Sequence, residues 1–487
     1  MPFPVNCDPI GSNTNAVSLA VTKGCNPDAN SVWYYMQPND ISSFAAVLER
    51  VARSPISLDR QRRKGAVTNL TASPAFPMDT TMDAMAFWAP IMMYTVWKGP
   101  AAGEFGYDVS AVTATEYTVD ANGALPQGTL VIARGFADTA NNGVKVVGAS
   151  ATATSIPASG LVAETPNGGT SLHECGFEYP AADISVASTA STMVLDTAAG
   201  DFTTLPLFEG AYVYVDGFDN AEFNGFARVR DITAASLTLD NHSGVVATDA
   251  GAAQTIRIYY GLWCRNVPVN HADFDPNHIT IEAGYDLPPG RSYEYATGAM
   301  VNTVALATPI TDKSTLDFEC VAHDVTEASL TRQPGTFVDF VANELFNTSE
   351  DIARLRIRDV DLNGVTTYFT DATINVNNNV SPKNVLGVLG AADLNYGNIE
   401  IGETMTTLFT DSVVTSALRN NVTCNLELVM QNNEGAFVLD QPEITLGNGE
   451  KSFPTNDKVE IALENEAFGS VAFGYAQSVT LFRYVPA

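Results

Sequence analysis

The chain has 487 residues, a length that predicts about two to four domains, and its hydrophobic content of 45% is enough for sizeable cores. It is strongly acidic, with 55 Asp and Glu residues against 25 Lys and Arg residues and a net charge of −30. Ordinary nucleic-acid binding needs a basic surface that neutralises phosphates, so the composition argues against that class. It permits the opposite property, a surface that repels DNA.

The negative charge is distributed unevenly along the chain. Residues 1–106 carry 8 basic and 8 acidic groups, residues 107–261 carry 5 and 17, and residues 262–487 carry 12 and 30. The net charges of the three regions are therefore 0, −12 and −18. The neutral first region also contains the one dense basic cluster of the sequence, which consists of Arg60, Arg62, Arg63 and Lys64.

The cysteines and the N-terminus indicate a cytoplasmic origin. Six cysteines lie far apart and none forms a Cys-x-x-Cys pair, so we expect free thiols in a reducing compartment. The N-terminus lacks the basic and apolar regions of a signal peptide. No run of about 18 apolar residues could span a membrane. The sequence thus predicts a protein that is made and assembled in a cytoplasm and has no membrane span.

Residues 1–40 are predicted to be rich in loops, because Pro2, Pro4, Pro9, Pro27 and Pro38 interrupt regular structure. Residues 16–22 and 31–36 are predicted strands. Residues 42–54 fit either a helix or a strand, and Pro55 ends that element in both cases. Residues 56–71 are predicted to be extended, with a bend at Gly65.

The best helix candidate follows at residue 78. Asp79 or the next threonine can cap its first N–H groups, and Asp83 lies favourably in its first turn. Met82, Met85, Ala86 and Ala89 have helical spacing, as do Phe87 and Ile91. Pro90 is expected to kink or end the helix. The apolar stripe predicts a helix that packs on a sheet.

An internal repeat lies in residues 107–261, a region rich in Ala, Thr, Gly and Val. Residues 128–147 and 210–229 both contain a strand, Gly-Phe, Asn-Gly and a second strand, at an offset of 82 residues. The matched residues are Gly135, Phe136, Asn142 and Gly143 in the first copy and Gly217, Phe218, Asn224 and Gly225 in the second. Asn-Gly between apolar runs predicts a hairpin. We expect two small β-barrel-like inserts, residues 107–182 and 183–261.

The remaining residues, 262–487, are predicted to be mainly antiparallel strands. Candidate strands are residues 278–282, 298–305, 315–322, 353–360, 366–376, 398–401, 423–430, 436–439, 443–446, 458–464 and 479–484. A short helix is predicted at residues 411–420. The predicted fold class is therefore mainly β, with a sandwich or barrel formed by residues 1–106 and 262–487 and a helix on its flank.

Two segments have residue types that bind metals. Residues 271–278 contain two histidines and two aspartates, but their spacing matches no helical metal motif, so we interpret them as a polar loop rather than a Zn²⁺ or Mn²⁺ site. Asp359 to Gly364 match the first six positions of a calcium loop, whereas the twelfth position is Thr370 instead of glutamate. A hairpin turn at Asn363-Gly364 explains the same residues.

Signatures of catalysis are absent from the sequence. There is no phosphate-binding glycine-rich loop, no Gly-x-Ser-x-Gly motif and no His-Glu-x-x-His motif. We therefore predict no enzymatic activity and name no catalytic residue, metal ligand or cofactor.

The basic cluster has two interpretations. It is either a solvated basic loop or an arm that meets an acidic surface on another molecule. Copies of a chain with 30 excess negative charges repel each other unless opposite charges meet at their contact. We therefore name Arg60, Arg62, Arg63 and Lys64 as candidate subunit-interface residues.

Several stretches resemble a known family. Residues 53–68, Arg-Ser-Pro-Ile-Ser-Leu-Asp-Arg-Gln-Arg-Arg-Lys-Gly-Ala-Val-Thr, and residues 76–83, Phe-Pro-Met-Asp-Thr-Thr-Met-Asp, resemble the tail tube (major tail) proteins of long, flexible-tailed bacteriophages. The paired Gly-Phe…Asn-Gly repeats are similar to an insert found in that family. Residues 393–401 and 438–446 are similar too, whereas residues 323–380 match only vaguely.

The resemblance implies a structural virion protein. Six subunits would form a ring whose sheets join into an inner barrel, and stacked rings would form a hollow tail with an acidic lumen for DNA delivery. The implied partners are further copies of the chain, the tail terminator, tape measure and distal tail proteins, and genomic DNA that passes without specific binding. The implied location is the virion tail, assembled in the host bacterial cytoplasm. The alternative is a β-rich adhesion or decoration protein whose inserts bind glycans or calcium.

Overall fold

The computed structural model describes residues 17–53, 56, 61, 63–101, 103, 106–120, 123–287, 290–339, 344–359, 364–366, 368–410 and 412–486. Strands account for 52% of the residues and helices for 6%, which confirms the predicted mainly β class. The chain forms two compact units. The first comprises residues 1–83, 275–345 and 371–404, and the second comprises residues 84–274, 346–370 and 405–487.

The elements before residue 107 are the strands β1 (Val17–Lys23), β2 (Val32–Met36), β3 (Ala46–Arg53), β4 (Arg63–Ala72) and β5 (Ala75–Asp79) and the helix α1 (Met82–Met92). The strands predicted at residues 16–22 and 31–36 are confirmed. The ambiguous segment 42–54 contains a strand.

The repeat region is built from thirteen described strands: β6 (Val109–Val112), β7 (Glu116–Val119), β8 (Thr129–Arg134), β9 (Gly143–Val146), β10 (Ser155–Pro157), β11 (Ser171–Tyr179), β12 (Ile184–Ser188), β13 (Met193–Thr197), β14 (Tyr212–Asp216), β15 (Gly225–Ile232), β16 (Ser236–Asp240), β17 (Thr248–Asp249) and β18 (Ile256–Tyr259). Short 3-10 helices lie at Thr139–Asn141, Phe202–Thr204 and Ala221–Phe223.

The strands after residue 261 are β19 (Leu262–Arg265), β20 (Ile279–Leu287), β21 (Gly290–Pro309), β22 (Thr315–Val321), β23 (Asp324–Val325), β24 (Thr336–Asp339), β25 (Ile352–Asp359), β26 (Gly364–Thr366), β27 (Phe369–Asn377), β28 (Ser381–Lys383), β29 (Asp393–Asn395), β30 (Glu400–Leu408), β31 (Thr423–Asn432), β32 (Gly435–Thr445), β33 (Asn448–Ser452), β34 (Glu460–Ala467) and β35 (Ser478–Phe482). The helix predicted at residues 411–420 is α2 (Val413–Arg419).

The first unit is organised around the long strand β21. Its first half pairs with β20, and its second half pairs with both β22 and β27. β20 pairs with β1, β1 pairs with β2, and β5 pairs with β22, all antiparallel. β24 adds to β2 in parallel. An aromatic cluster around Trp33 and Tyr295 packs on this sheet, and Trp33 stacks on Phe337 with ring centroids 5.5 Å apart.

The second unit combines an antiparallel sheet with the repeat region. In that sheet β25, β31, β32, β35 and β19 follow one another as antiparallel neighbours. The repeat region forms a ten-stranded sheet, β17-β12-β13-β16-β15-β14-β18-β11-β8-β9, and a three-stranded sheet, β10-β7-β6. Its two largest apolar clusters consist of buried residues from Tyr107 to Leu172 and of buried residues from Tyr179 to Tyr260. The insert boundaries named from the sequence stay a prediction.

Pro90 was expected to kink or end helix α1, and the second alternative is wrong, since the helix continues to Met92. A proline lacks the N–H that would bond the carbonyl four residues earlier. Here the indole N–H of Trp97 donates to that carbonyl, the oxygen of Ala86, at 2.7 Å. All residues from Ala84 to Thr95 are buried, so apolar packing surrounds the helix.

Candidate assembly surface

The strands β3 and β4 form a hairpin that is a separate two-stranded sheet. Its strands pair antiparallel from Ala46 opposite Ala72 to Arg53 opposite Arg63, with two register shifts that mark bulges. An isolated two-stranded hairpin is at best marginally stable in water. This hairpin therefore needs support at its base or from another molecule.

The base of the hairpin is anchored in the first unit. Leu70 and Ala72 are buried, and Ala322 donates its N–H to the carbonyl of Ala72 at 2.9 Å. Farther out, Gly65 allows the two strands to approach closely, because a Cβ at this position would lie 2.3 Å from the carbonyl oxygen of Val51. The bend predicted at Gly65 is thus a close strand-to-strand contact within the hairpin.

The outer part of the hairpin exposes aliphatic side chains. Every residue of β3 from Val47 to Arg53 is exposed. Val47 and Val51 are each 59% exposed, Leu48 is 43% exposed and Val67 is 40% exposed. Aliphatic groups gathered on one exposed element indicate a contact surface, whereas single exposed aliphatic residues are ordinary.

Two of the four candidate interface residues lie on this hairpin. Arg63 and Lys64 begin β4 and are exposed. Arg60 and Arg62 lie outside the described residues. The interpretation of all four as interface residues stays a prediction. The pairing of β3 with β4 was missed in the sequence, because residues 46–53 have no strict alternation of apolar and polar residues.

The two repeat loops have the same internal hydrogen bonds. In the first, Asn142 accepts from the N–H of Phe136 at 3.0 Å and donates to its carbonyl at 2.8 Å. In the second, Asn224 makes the same bonds to Phe218, at 3.0 and 2.9 Å. The predicted hairpins are confirmed, since β8 pairs antiparallel with β9 and β14 pairs antiparallel with β15. In neither hairpin is the Asn-Gly pair by itself the turn. It ends a longer connection that contains a 3-10 helix.

Different side chains close the two loops from outside. Glu164 accepts hydrogen bonds from the N–H groups of Ala137 and Asp138, at 2.7 and 3.1 Å, and from the side chain of Asn141 at 2.8 Å. Desolvation raises the pKa of Glu164, but these three hydrogen bonds outweigh it and the net pKa is lowered. In the second loop the neutral Gln254 accepts from the N–H of Asp219 at 3.3 Å.

A buried polar network joins the second repeat to the sheet of the second unit. Arg228 on β15 pairs with Asp240 at 2.9 Å and with Asp440 on β32 at 3.1 Å. Tyr212 and Tyr475 also donate to Asp440, at 3.0 and 3.1 Å. Burial would lower the pKa of Arg228, but the two carboxylates outweigh it and hold that pKa well above its usual range.

The network continues along β25. Arg354 and Arg356 share the fully buried Glu427 of β31, at 2.8 and 2.6 Å. Arg356 also donates to the carbonyl of Asn241 in the repeat region, at 2.6 Å. Burial and its two neighbouring arginines lower the pKa of Arg358 to about 10, against the opposing attraction of Glu427. These bonds fix the orientation of the second repeat on this sheet.

The sequence analysis missed this network. Its one local signal is the alternation of arginine at residues 354, 356 and 358, which places three cations on one face of a strand. The acidic partner that Arg354 and Arg356 share, Glu427, lies 73 and 71 residues away along the chain, so no spacing pattern identifies it.

The histidine and aspartate segment is engaged in ordinary polar contacts. Asp273 pairs with Lys98 at 2.5 Å and with His271 at 3.4 Å, and Asp275 accepts from the N–H of Asn277 at 3.0 Å. Among the residues that the structure describes, no group of three or more His, Cys, Asp or Glu residues could hold a metal ion.

The calcium-like segment is described only at its two ends. Asp359 ends β25 and Gly364 begins β26, and the two strands pair antiparallel. Residues 360–363 lie outside the described residues. The choice between a hairpin turn and a calcium loop therefore stays open.

Five cysteines are described, and all five are free thiols, as the sequence predicted. Burial raises the pKa of Cys320 and of Cys424 to about 12, so these thiols stay protonated at neutral pH. Cys7 lies outside the described residues. Within the described part of the chain, every helix is too short or too polar to cross a membrane.

Comparison with known proteins supports the resemblance. A search of curated proteins found no match. The family model of the phage tail tube protein matches residues 12–467, which is nearly the whole chain. This family is structural, and its members assemble into the tail of the virion. The chain therefore belongs to the phage tail tube protein family.

Proposed function

We propose that this protein polymerises as stacked hexameric rings into the tube of a long, flexible phage tail. The rings enclose an acidic lumen, and DNA passes through it during delivery to the host. The observation that carries the proposal is the β3–β4 hairpin, which exposes aliphatic and basic residues on a chain whose net charge is −30. A neighbouring acidic copy provides both the apolar cover and the opposite charge.

The charge of the chain supports the role of conduit. A wall with excess carboxylates does not bind the phosphate backbone, so DNA slides along it instead of adhering. The tail terminator, tape measure and distal tail proteins are the proposed further partners, and assembly takes place in the host bacterial cytoplasm. The alternative, that the inserts serve adhesion by binding glycans or calcium, stays a prediction.

The first test is direct observation of polymerisation. Purified protein should form rings or tubes in negative-stain electron microscopy, and averaged end views should have six-fold symmetry. A protein that stays monomeric at high concentration, and is scarce in purified virions, would contradict the proposal.

The second test concerns the basic cluster. The double variant Arg62→Glu/Arg63→Glu should keep its circular dichroism spectrum and melting temperature but lose polymerisation, because it places like charges at the contact. Lys458→Glu, an exposed cation on another part of the chain, is the matched control and should polymerise normally. Raising the salt concentration should weaken polymerisation of the wild type, since it screens exposed charge pairs. Unchanged tube formation by the double variant would remove the cluster from the contact.

A further inference from the structure

A second hairpin of the first unit has a strongly apolar tip. β28 and β29 pair antiparallel, and the segment between them is Asn-Val-Leu-Gly-Val-Leu-Gly-Ala-Ala, which has no charged residue. Four large aliphatic side chains in this segment are exposed, namely Val385 (52%), Leu386 (104%), Val388 (50%) and Leu389 (51%). We call these four residues the apolar tip.

The segment is held firmly at its base, so the exposure of the tip is built into the fold. The Nδ1 atom of His323 lies 3.0 Å from the carbonyl oxygen of Ala391, and Ala392 donates to the carbonyl of Lys383 at 2.9 Å. Gly390 has a φ of +92°, and a Cβ there would lie 2.9 Å from the carbonyl oxygen of His323. A contact element fixed in this way loses little conformational entropy on binding.

The apolar tip is adjacent to the β3–β4 hairpin. Asn384 donates to the side chain of Asn69 on β4 at 3.1 Å. The side chain of Leu70 approaches Gly390, whose Cβ position would lie 3.3 Å from it. The two hairpins therefore present their exposed aliphatic groups from one connected part of the first unit.

We propose that the apolar tip is buried against a second copy of this chain, in the same contact as the β3–β4 hairpin. This inference rests on the proposed tube function, because polymerisation brings a second copy to this surface. The contact is heterologous, so the tip meets a different part of the neighbour and each added copy leaves a tip for the next one. A lipid surface is the less favoured occupant, since anionic headgroups repel a chain with a net charge of −30.

The tip variant for the test is Leu386→Ser/Leu389→Ser. The control is Val246→Ser/Ile310→Ser, which changes two other exposed aliphatic residues; Val246 is 70% exposed and Ile310 is 63% exposed. Sedimentation and electron microscopy give the critical concentration for polymerisation, and thermal unfolding checks the fold. The tip variant should unfold at the wild-type temperature, while its critical concentration rises at least tenfold, equivalent to about 1.4 kcal/mol. The control variant should match the wild type.

Three outcomes would overturn the inference. If the wild type polymerises and the tip variant has the same critical concentration, the tip is not in the contact and the tube function still stands. If the wild type does not polymerise at all, both proposals fail. The third outcome is that the wild type binds anionic phospholipid vesicles, whereas the tip variant polymerises normally but no longer binds them. In that case the tip contacts a membrane instead.

Discussion

The two repeat loops, residues 135–143 and 217–225, are internally alike but differ in what holds them. Each is closed by an asparagine that bonds the backbone of the phenylalanine six residues earlier. The first copy meets the second unit's sheet through Arg134, which bonds Glu434 at 3.3 Å at a partly exposed site. The second copy meets it through Arg228 and Asp440, which are both buried. The internal conformation of a loop thus follows from its local sequence, whereas its attachment also depends on acidic partners outside the repeat, Glu434 and Asp440.

Breaking the polar network that contacts the second copy should have the largest effect, because Arg354 and Arg356 donate to the carbonyls of Phe226 and Asn241 in that copy. Glu427→Gln removes the one carboxylate that Arg354 and Arg356 share, and it leaves two cations in a buried site. Removal of one partner from a buried ion pair costs about 3–5 kcal/mol. Denaturant and thermal unfolding should therefore show a loss of this size.

The matched control is Glu466→Gln, the same substitution at an exposed strand position, which should change the free energy of unfolding by less than about 0.5 kcal/mol. If the two variants were equally stable, the buried network would not be what fixes the second repeat.

Removing the loop closure should have intermediate effects that are similar in the two copies. Asn142→Ala and Asn224→Ala each leave the backbone N–H and carbonyl of a phenylalanine without their partner. An unsatisfied polar group costs about 1–3 kcal/mol. We expect each variant to lose stability in this range in denaturant unfolding, and the two losses to agree within about 1 kcal/mol.

Asn142→Asp is an informative control for the first copy. It keeps an acceptor for the N–H of Phe136 but loses the donor to the carbonyl, so its loss should be smaller than that of Asn142→Ala. A large loss of stability in one copy and none in the other would show that the same hydrogen bonds contribute differently to the free energy of unfolding in the two repeats.

The smallest expected effect is a pH dependence confined to the first copy. The folded-state pKa of Glu164 is lowered, so its contribution to stability is present above the ordinary glutamate pKa of about 4.3 and is lost as the pH falls through the folded value. The melting temperature of the wild type should therefore fall more on acidification than that of Glu164→Gln, whose side chain keeps a neutral acceptor.

The reciprocal change, Gln254→Glu, tests whether the difference between the copies is a matter of one side chain. It should destabilise the second copy at neutral pH, and acidification should relieve the loss. The side-chain amide of Gln254 donates to Asp219 at 3.1 Å and to Asp249 at 3.2 Å, so a glutamate there meets two like charges that raise its pKa. If Glu164→Gln and the wild type had parallel pH profiles, the hydrogen bonds to Glu164 would not favour its ionised form.

The candidate surface of the first unit could be predicted from the sequence only in part. The basic cluster stands out in the sequence because its region is otherwise neutral and the rest is acidic. The aliphatic residues on β3 were not recognised, because residues 42–54 fit two periodicities equally well. The apolar tip was missed too, since exposure of an apolar run cannot be read from its composition.

The sequence by itself determined where most strands run, where α2 lies, that residues 128–147 and 210–229 are equivalent, and which family the chain resembles. These features depend on alternation, on turn residues and on local order, which a single sequence carries. Only the tertiary structure decided that β2 pairs in parallel with β24, that Trp97 compensates for Pro90, and that Arg228 meets Asp440. Each of these contacts joins residues whose pairing leaves no trace in their local pattern, because burial and the choice of partner are set by packing across the fold.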